Sequence, residues 1–151
     1  MTALRPGPTT LAVVPDERGR ARRLGGPALL AAGLVAASVA LHVRDPHREG
    51  SCGLCPWLLL TGTYCPGCGG LRAVNDLTRG DVAAAASSNL LLVGAVPVLA
   101  WWWLRRTADA WRGVRRVVDE HAALRVTVVV LGVSLVFWVV RNLPFAGWLT
   151  P

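Results

Sequence analysis

Residues 82–106 read VAAAASSNLLLVGAVPVLAWWWLRR, an apolar stretch that ends with three tryptophans, a leucine and two arginines. As a helix, residues 82–104 extend about 35 Å, which is enough to cross the hydrocarbon core of a bilayer with some tilt. Tryptophans followed by arginines are typical of a membrane–water interface. The stretch therefore predicts a membrane-spanning helix, and Pro97 predicts a kink within it.

Two further apolar runs, residues 24–43 and 122–140, are also long enough to span a bilayer. We therefore predict an all-α membrane protein with three transmembrane helices, and a membrane domain covering residues 24–151. The alternative for the first run is a cleaved signal peptide, but the run is long for one and further spans follow. The chain contains no Walker loop, GxGxxG, GxSxG or HExxH motif. The commonest nucleotide-binding and hydrolase mechanisms therefore have no support.

Arginine placement predicts the topology. All 16 basic residues of the 151-residue chain are arginine. Five lie in the proline-containing segment 1–23 and five in 105–121, against four in the longer segment 44–81 and one after residue 140. The positive-inside rule then makes segment 1–23 a disordered cytoplasmic tail, and places the loop 44–81 and the C-terminus outside a plasma membrane. Segment 105–121 is either a short helix on anionic headgroups or a solvated connector, and we expect no nucleic-acid binding by it.

The outer loop, residues 44–81, carries two C-x-x-C pairs with nine residues between them: Cys52, Cys55, Cys65 and Cys68. The Cys65-Pro-Gly-Cys68-Gly sequence has the form of a zinc knuckle, and four thiolates are a common structural Zn²⁺ site. Arg72 and Arg79 are near enough in sequence to offset the charge of such a site. Structural disulfides between the same cysteines are an alternative in an oxidising compartment. A redox-active Cys65/Cys68 pair is another alternative.

Three features flank the cysteines. An apolar stripe, Leu71, Val74 and Leu77, predicts a short helix between the first two spans. Asp81 is placed to cap the second span, and Asn89 inside that span is expected to hydrogen-bond to a neighbouring helix. Arg141 at the end of the third span is expected to reach water as an interface anchor.

The stretch from residue 55 to residue 89 resembles a family called "domain of unknown function 2752". Members of that family are small bacterial membrane proteins. The shared pattern is C-P, T-G, C-P-x-C-G, R-A, G-D and N, here starting at Cys55, Thr61, Cys65, Arg72, Gly80 and Asn89. With less specific C-terminal features, the resemblance extends over about residues 52–151. The family's first cysteine motif is a single cysteine before proline, so Cys52 departs from the pattern. The resemblance implies no activity.

These observations favour a non-enzymatic membrane protein whose cysteine loop is organised for packing or partner recognition, with Zn²⁺ as the candidate cofactor. Spans joined by such short loops leave no room for a separate catalytic domain. The partners expected are the lipid bilayer and a second membrane protein or another copy of the chain. The alternatives are a membrane thiol–disulfide oxidoreductase using Cys65 and Cys68, and an oligomeric transporter.

Overall fold

The computed structural model describes residues 12–44, 46, 55–117 and 120–149. In chain order the elements are strand β1 (Ala12–Pro15), helices α1 (Arg20–Val43), α2 (Pro56–Thr61), α3 (Gly70–Thr78) and α4 (Val82–Arg112), strand β2 (Val114–Val117), helix α5 (Glu120–Arg141) and a 3₁₀ helix (Pro144–Leu149). Helices α1, α4 and α5 are long and apolar enough to cross a membrane. The predicted helical fold, with three spans and a short helix between the first two, is confirmed.

The boundaries at one end of the bundle differ from the prediction. The segment 1–23 was expected to be disordered, but β1 pairs with β2 in an antiparallel ribbon and α1 already begins at Arg20. Residues 1–11 lie outside the described residues. Gly113, with φ of 75°, ends α4 and turns the chain into β2. Local sequence did not reveal β1 because its partner strand lies about 100 residues away in the chain.

The short surface helix considered for residues 105–121 is not formed. Instead α4 continues to Arg112, and Val114–Val117 are extended. Trp111 lies on the last turn of α4, where the Arg20 guanidinium stacks 4.6 Å from its ring centroid. A cation–π contact thus links the beginning of α1 to the end of α4.

Helix α4 departs from helical backbone angles at Asn89, and the kink at Pro97 stays a prediction. Asn89 has non-helical backbone angles, φ −160° and ψ 92°. Its Oδ1 accepts a hydrogen bond from the Leu92 backbone N–H at 2.9 Å, which is the geometry of a helix N-cap. The second span is therefore two helical segments joined at Asn89, and the second segment starts with its own cap.

Helix α3 packs between the end of α1 and the start of α4 through polar contacts. Asn75 Nδ2 donates to the Leu41 carbonyl of α1 at 2.6 Å, and Ser88 Oγ of α4 donates to Asp76 Oδ2 at 3.1 Å. The most buried residues of α3 are Ala73, Asn75 and Asp76. The helix predicted there is confirmed, but its buried face is this polar one and not the Leu71 stripe, because Leu71 is half exposed.

Helix α5 is attached to the rest of the fold mainly at its C-terminal end. Trp138 packs edge-on against Trp57 of α2, with ring centroids 6.0 Å apart. Along the spans, α1 buries no residue and α5 buries only Arg141. Apolar side chains that are exposed along spanning helices are suited to contact with lipid. The packed core therefore lies at the end of the bundle that carries the cysteines.

Candidate metal centre

Two tight turns bring the cysteines together. Cys55 immediately precedes α2, which begins with Pro56 and ends at Gly62, whose φ is 69°. The chain then reaches the cysteine turn, defined here as residues 64–69. Within it the Cys68 N–H donates to the Cys65 carbonyl at 3.1 Å, and Gly69 takes φ of 76° just before α3. Glycine at these two positions allows a left-handed backbone that L side chains rarely adopt.

Three sulfur atoms meet at this turn. The Sγ atoms of Cys55 and Cys65 are 3.8 Å apart, and those of Cys65 and Cys68 are 3.1 Å apart. All three lie within 4.8 Å of one another, and all three cysteines are free thiols. Cys68 is buried, whereas Cys55 and Cys65 are partly accessible. This is a group of soft ligands that can hold one metal ion, and the fourth predicted ligand, Cys52, lies outside the described residues.

The thiols differ in their proton affinity. Burial, followed by hydrogen bonding to Cys65, raises the pKa of the Cys68 thiol to about 12. The Leu58 backbone N–H at the start of α2, and then a hydrogen bond with Cys68, lower the pKa of Cys55. The thiolate of Cys55 is therefore the easier one to form. A bound metal ion would deprotonate all of its thiol ligands, because its charge outweighs these local effects.

A buried arginine lies beneath the turn. Arg141 has 1% of its surface exposed. Its Nη1 donates to the carbonyls of Cys65 at 2.9 Å and Cys68 at 3.1 Å, and its Nη2 donates to the Leu149 carbonyl at 2.9 Å. The guanidinium also lies 5.1 Å from the Phe137 ring centroid. The expectation that Arg141 reaches water as an interface anchor is therefore wrong.

Two asparagines complete the support of the turn. Asn89 Nδ2 donates to the Pro66 carbonyl at 2.9 Å and to the Cys68 carbonyl at 3.1 Å. Asn142 Oδ1 accepts from the Tyr64 N–H, and its Nδ2 donates to the Tyr64 carbonyl, both at 2.9 Å. Asn89 does bind protein inside the membrane helix, as predicted, but its partner is the cysteine turn and not another helix. Side chains from α4 and from the end of α5 thus hold the backbone of this turn.

Asp81 and Arg72 are the other two residues that the sequence predicts to support the site. Asp81 caps α4, with its Oδ1 accepting from the Ala84 N–H at 2.9 Å, as expected. Arg72 lies on α3, and its predicted role in offsetting the charge of the sulfur site stays a prediction. Among the described residues, Arg141 is the cation whose hydrogen bonds reach the turn.

Sequence reasoning missed the role of Arg141 and Asn142. The available signal was their position, an Arg-Asn pair that directly follows an apolar run and precedes Leu-Pro. That pattern is equally typical of ordinary helix ends at an interface. The contact is also 76 residues distant in sequence, so no local periodicity could reveal it.

A comparison with known protein families gives a match that covers the cysteine turn and most of α4. Residues 55–103 match the family model "Protein of unknown function (DUF2752)". The resemblance seen in the sequence is thereby confirmed over this region. The DUF2752 match begins at Cys55, so it includes the three clustered cysteines and Asn89 but neither Cys52 nor Arg141. No curated protein and no solved structure matches the chain.

Replacing Asn89 with alanine is expected to destabilise the protein by about 2–4 kcal/mol, because it removes a helix cap, deprives the Pro66 carbonyl of its side-chain donor and leaves the Cys68 carbonyl with Arg141 alone. Thermal unfolding of the purified protein in detergent should show a fall in Tm of about 5–10 °C. The matched control is Ser87→Ala, since the Ser87 hydroxyl donates only to the Ala84 carbonyl of its own helix. Equal shifts for the two variants would contradict the bridging role of Asn89.

Proposed function

We propose that Cys55, Cys65 and Cys68, with Cys52 as the fourth ligand, hold a structural Zn²⁺ ion that fixes the cysteine turn on the ends of the spans. The protein is then a small integral membrane protein whose metal-organised loop packs against the bundle and presents a surface to a membrane partner or a second copy. The observation that carries this proposal is the meeting of three sulfurs within 4.8 Å of one another, in a turn whose Cys65 and Cys68 carbonyls are bound by the buried Arg141.

The sulfur geometry suits zinc. Four sulfurs placed about 2.3 Å from a zinc ion in a tetrahedron lie about 3.8 Å from one another. Cys55 and Cys65 already have a separation of 3.8 Å. The Cys65–Cys68 pair, at 3.1 Å, has to open slightly to reach the same distance. A rotation of one side chain within the C-x-x-C turn is sufficient for this change.

The charge balance gives a second argument. Three thiolates and one Zn²⁺ carry a net charge of −1, and a fourth thiolate makes the site −2. A buried guanidinium is costly unless an opposite charge lies close to it. Within the described part of the chain, the hydrogen bonds of Arg141 go to neutral carbonyls. An anionic metal–thiolate group beside Cys65 and Cys68 supplies the missing counter-charge.

Metal analysis of the full-length protein, purified from membranes, tests the proposal. We expect one zinc per chain, with the thiols reactive only after chelation. Cys65→Ser and Cys68→Ser should abolish binding, because each removes a central ligand. Cys52→Ser should retain zinc with weaker affinity, since water can replace one ligand. A metal-free protein with blocked thiols that are released by a reductant would overturn the zinc proposal.

One observation favours a second candidate, a thiol–disulfide oxidoreductase. The Cys65 and Cys68 sulfurs are already only 3.1 Å apart, so little movement separates the dithiol from a disulfide. In that reaction the two thiols would give two electrons and two protons to a substrate disulfide and become joined themselves. Exchange with glutathione disulfide by the metal-free protein, lost in Cys65→Ser while helix content is kept, would support this candidate over the structural one.

Arg141→Met should weaken zinc retention in competition with a chelator, because it removes the positive charge beneath the thiolates. Residues that support metal ligands without touching the metal typically change affinity about 10–100-fold. Arg141→Lys, which keeps the charge, should lose less. Arg72→Met is the matched control, since Arg72 is the nearby arginine that does not bind the turn. Helix content measured by circular dichroism separates loss of metal from loss of fold, and equal effects of the two methionine variants would contradict the role of Arg141.

We further propose that the cysteine end faces outward from the plasma membrane and that the arginine-rich end is cytoplasmic. The support is the count of five arginines in each of the segments 1–23 and 105–121. A C-terminal alkaline phosphatase fusion should be active, because that enzyme folds only outside the cytoplasm, and a matched fusion at Gly113 should be inactive. The reverse result would show the opposite topology.

A further inference from the structure

A second site lies at the end of the bundle opposite the cysteines. A cleft of about 540 Å³ opens between the start of α1, the end of α4 and β2. Seven arginines line it, three from residues 18–23, two from α4 and two from β2, against two aspartates. The lining thus carries an excess of five positive charges, obtained as seven minus two. Such a concentration of guanidinium groups in one concave surface favours an anionic ligand.

The two acidic residues of the cleft are already engaged. Arg116 binds Asp109 in a two-pronged ion pair, with N–O distances of 2.6 and 3.0 Å. Asp16 accepts from the Arg18 backbone N–H at 3.1 Å and lies 3.9 Å from its guanidinium. Among the described residues, no carboxylate pairs with the remaining five arginines of the lining. Within the described part of the chain, their charge is therefore available to a ligand.

Aromatic rings and backbone contacts hold some of these arginines in place. Arg105 stacks 4.6 Å above the Trp101 ring centroid, and Arg106 stacks 5.2 Å from that of Trp102. A guanidinium stacked by its face keeps its N–H donors free at the edge. Arg23 packs against Gly113, and its Nε is buried without a hydrogen-bond partner in the described part of the chain. The cleft thus has ordered donors with unmet hydrogen-bonding capacity.

The position of the cleft indicates where the anion comes from. Trp101 and Trp102 stand where the apolar part of α4 meets its arginines, which is the level of lipid headgroups. Trp103 Nε1 donates to the Pro27 carbonyl at 3.1 Å and so ties α4 to α1 at this depth. On the side toward the spans, Leu29 and Val98 are largely exposed and offer an apolar surface for acyl chains. Because a free inorganic anion carries no apolar group to contact that surface, the surface favours a lipid.

From these observations, we propose that the cleft binds the phosphate of an anionic phospholipid headgroup. Arginine is suited to this because its planar N–H groups match the oxygens of phosphate. Basic pockets between transmembrane helices are a known mode of anionic headgroup recognition. The site is independent of the cysteine turn and of any metal, since the two lie at opposite ends of α4. It gives this end of the bundle a specific lipid contact and not merely a general attraction to the membrane.

The test measures the stability and lipid binding of the full-length protein in mixed detergent micelles at fixed ionic strength. Phosphatidylglycerol should raise the Tm, whereas phosphatidylcholine and inorganic phosphate should not. The double variant R23Q/R106Q should bind phosphatidylglycerol about tenfold more weakly than R112Q/R125Q. The latter pair removes the same charge from the same end of the bundle but does not line the cleft.

The outcomes distinguish a specific lipid site from nonspecific attraction to the membrane and from binding of free phosphate. Equal weakening by the two double variants would indicate nonspecific surface attraction and overturn the proposal. Full stabilisation by inorganic phosphate alone would overturn the assignment to a lipid. If R23Q/R106Q does not fold, R112Q/R125Q decides against the unaltered protein: it should keep the phosphatidylglycerol stabilisation, and loss of that stabilisation, or equal effects of phosphatidylglycerol and phosphatidylcholine, would refute the site.

Discussion

The carbonyl groups of the cysteine turn need hydrogen-bond donors, and the buried Arg141 supplies the central ones. Its guanidinium joins Cys65, Cys68 and Leu149 through their carbonyls. Three parts of the chain, the cysteine turn, the end of α5 and the final 3₁₀ helix, are thereby fixed to one group. Satisfying backbone groups inside the protein is the dominant constraint on irregular structure next to a bilayer.

Asn89 and Asn142 also donate hydrogen bonds to backbone carbonyls of the cysteine turn. Asn89 interrupts α4, caps the helix that follows and still has an amide group to bind the turn. The Asn142 side chain binds both the backbone N–H and the backbone C=O of Tyr64, as a neighbouring strand would. The backbone of the turn is thus held from outside, and the sulfur atoms of Cys55, Cys65 and Cys68 are left to face one another. A metal ion bound there would find its ligands already arranged, which lowers the entropic cost of binding.

The two ends of the bundle have different physical characters. At the cysteine end, polar side chains are buried and hydrogen-bonded, as Asn75 with the Leu41 carbonyl and Asp76 with the Ser88 hydroxyl also show. At the other end, arginines are gathered around tryptophans and a two-stranded ribbon, and within the described residues five of the seven cleft arginines have no carboxylate partner. Along α1 and α5 only Arg141 is buried, so the contacts described here between helices are concentrated at the two ends.

The sequence by itself determined the three spans, the short helix after the cysteines, the cap at Asp81 and the clustering of cysteines, because length, hydropathy, capping and spacing are local properties. Contacts between residues that are distant in the chain were decided only by the tertiary structure. It placed Arg141 against the cysteine turn, put a break in α4 at Asn89, and paired β1 with β2. Each of these depends on a partner that is distant in the chain and close in space, and such a contact leaves no period or motif in the sequence.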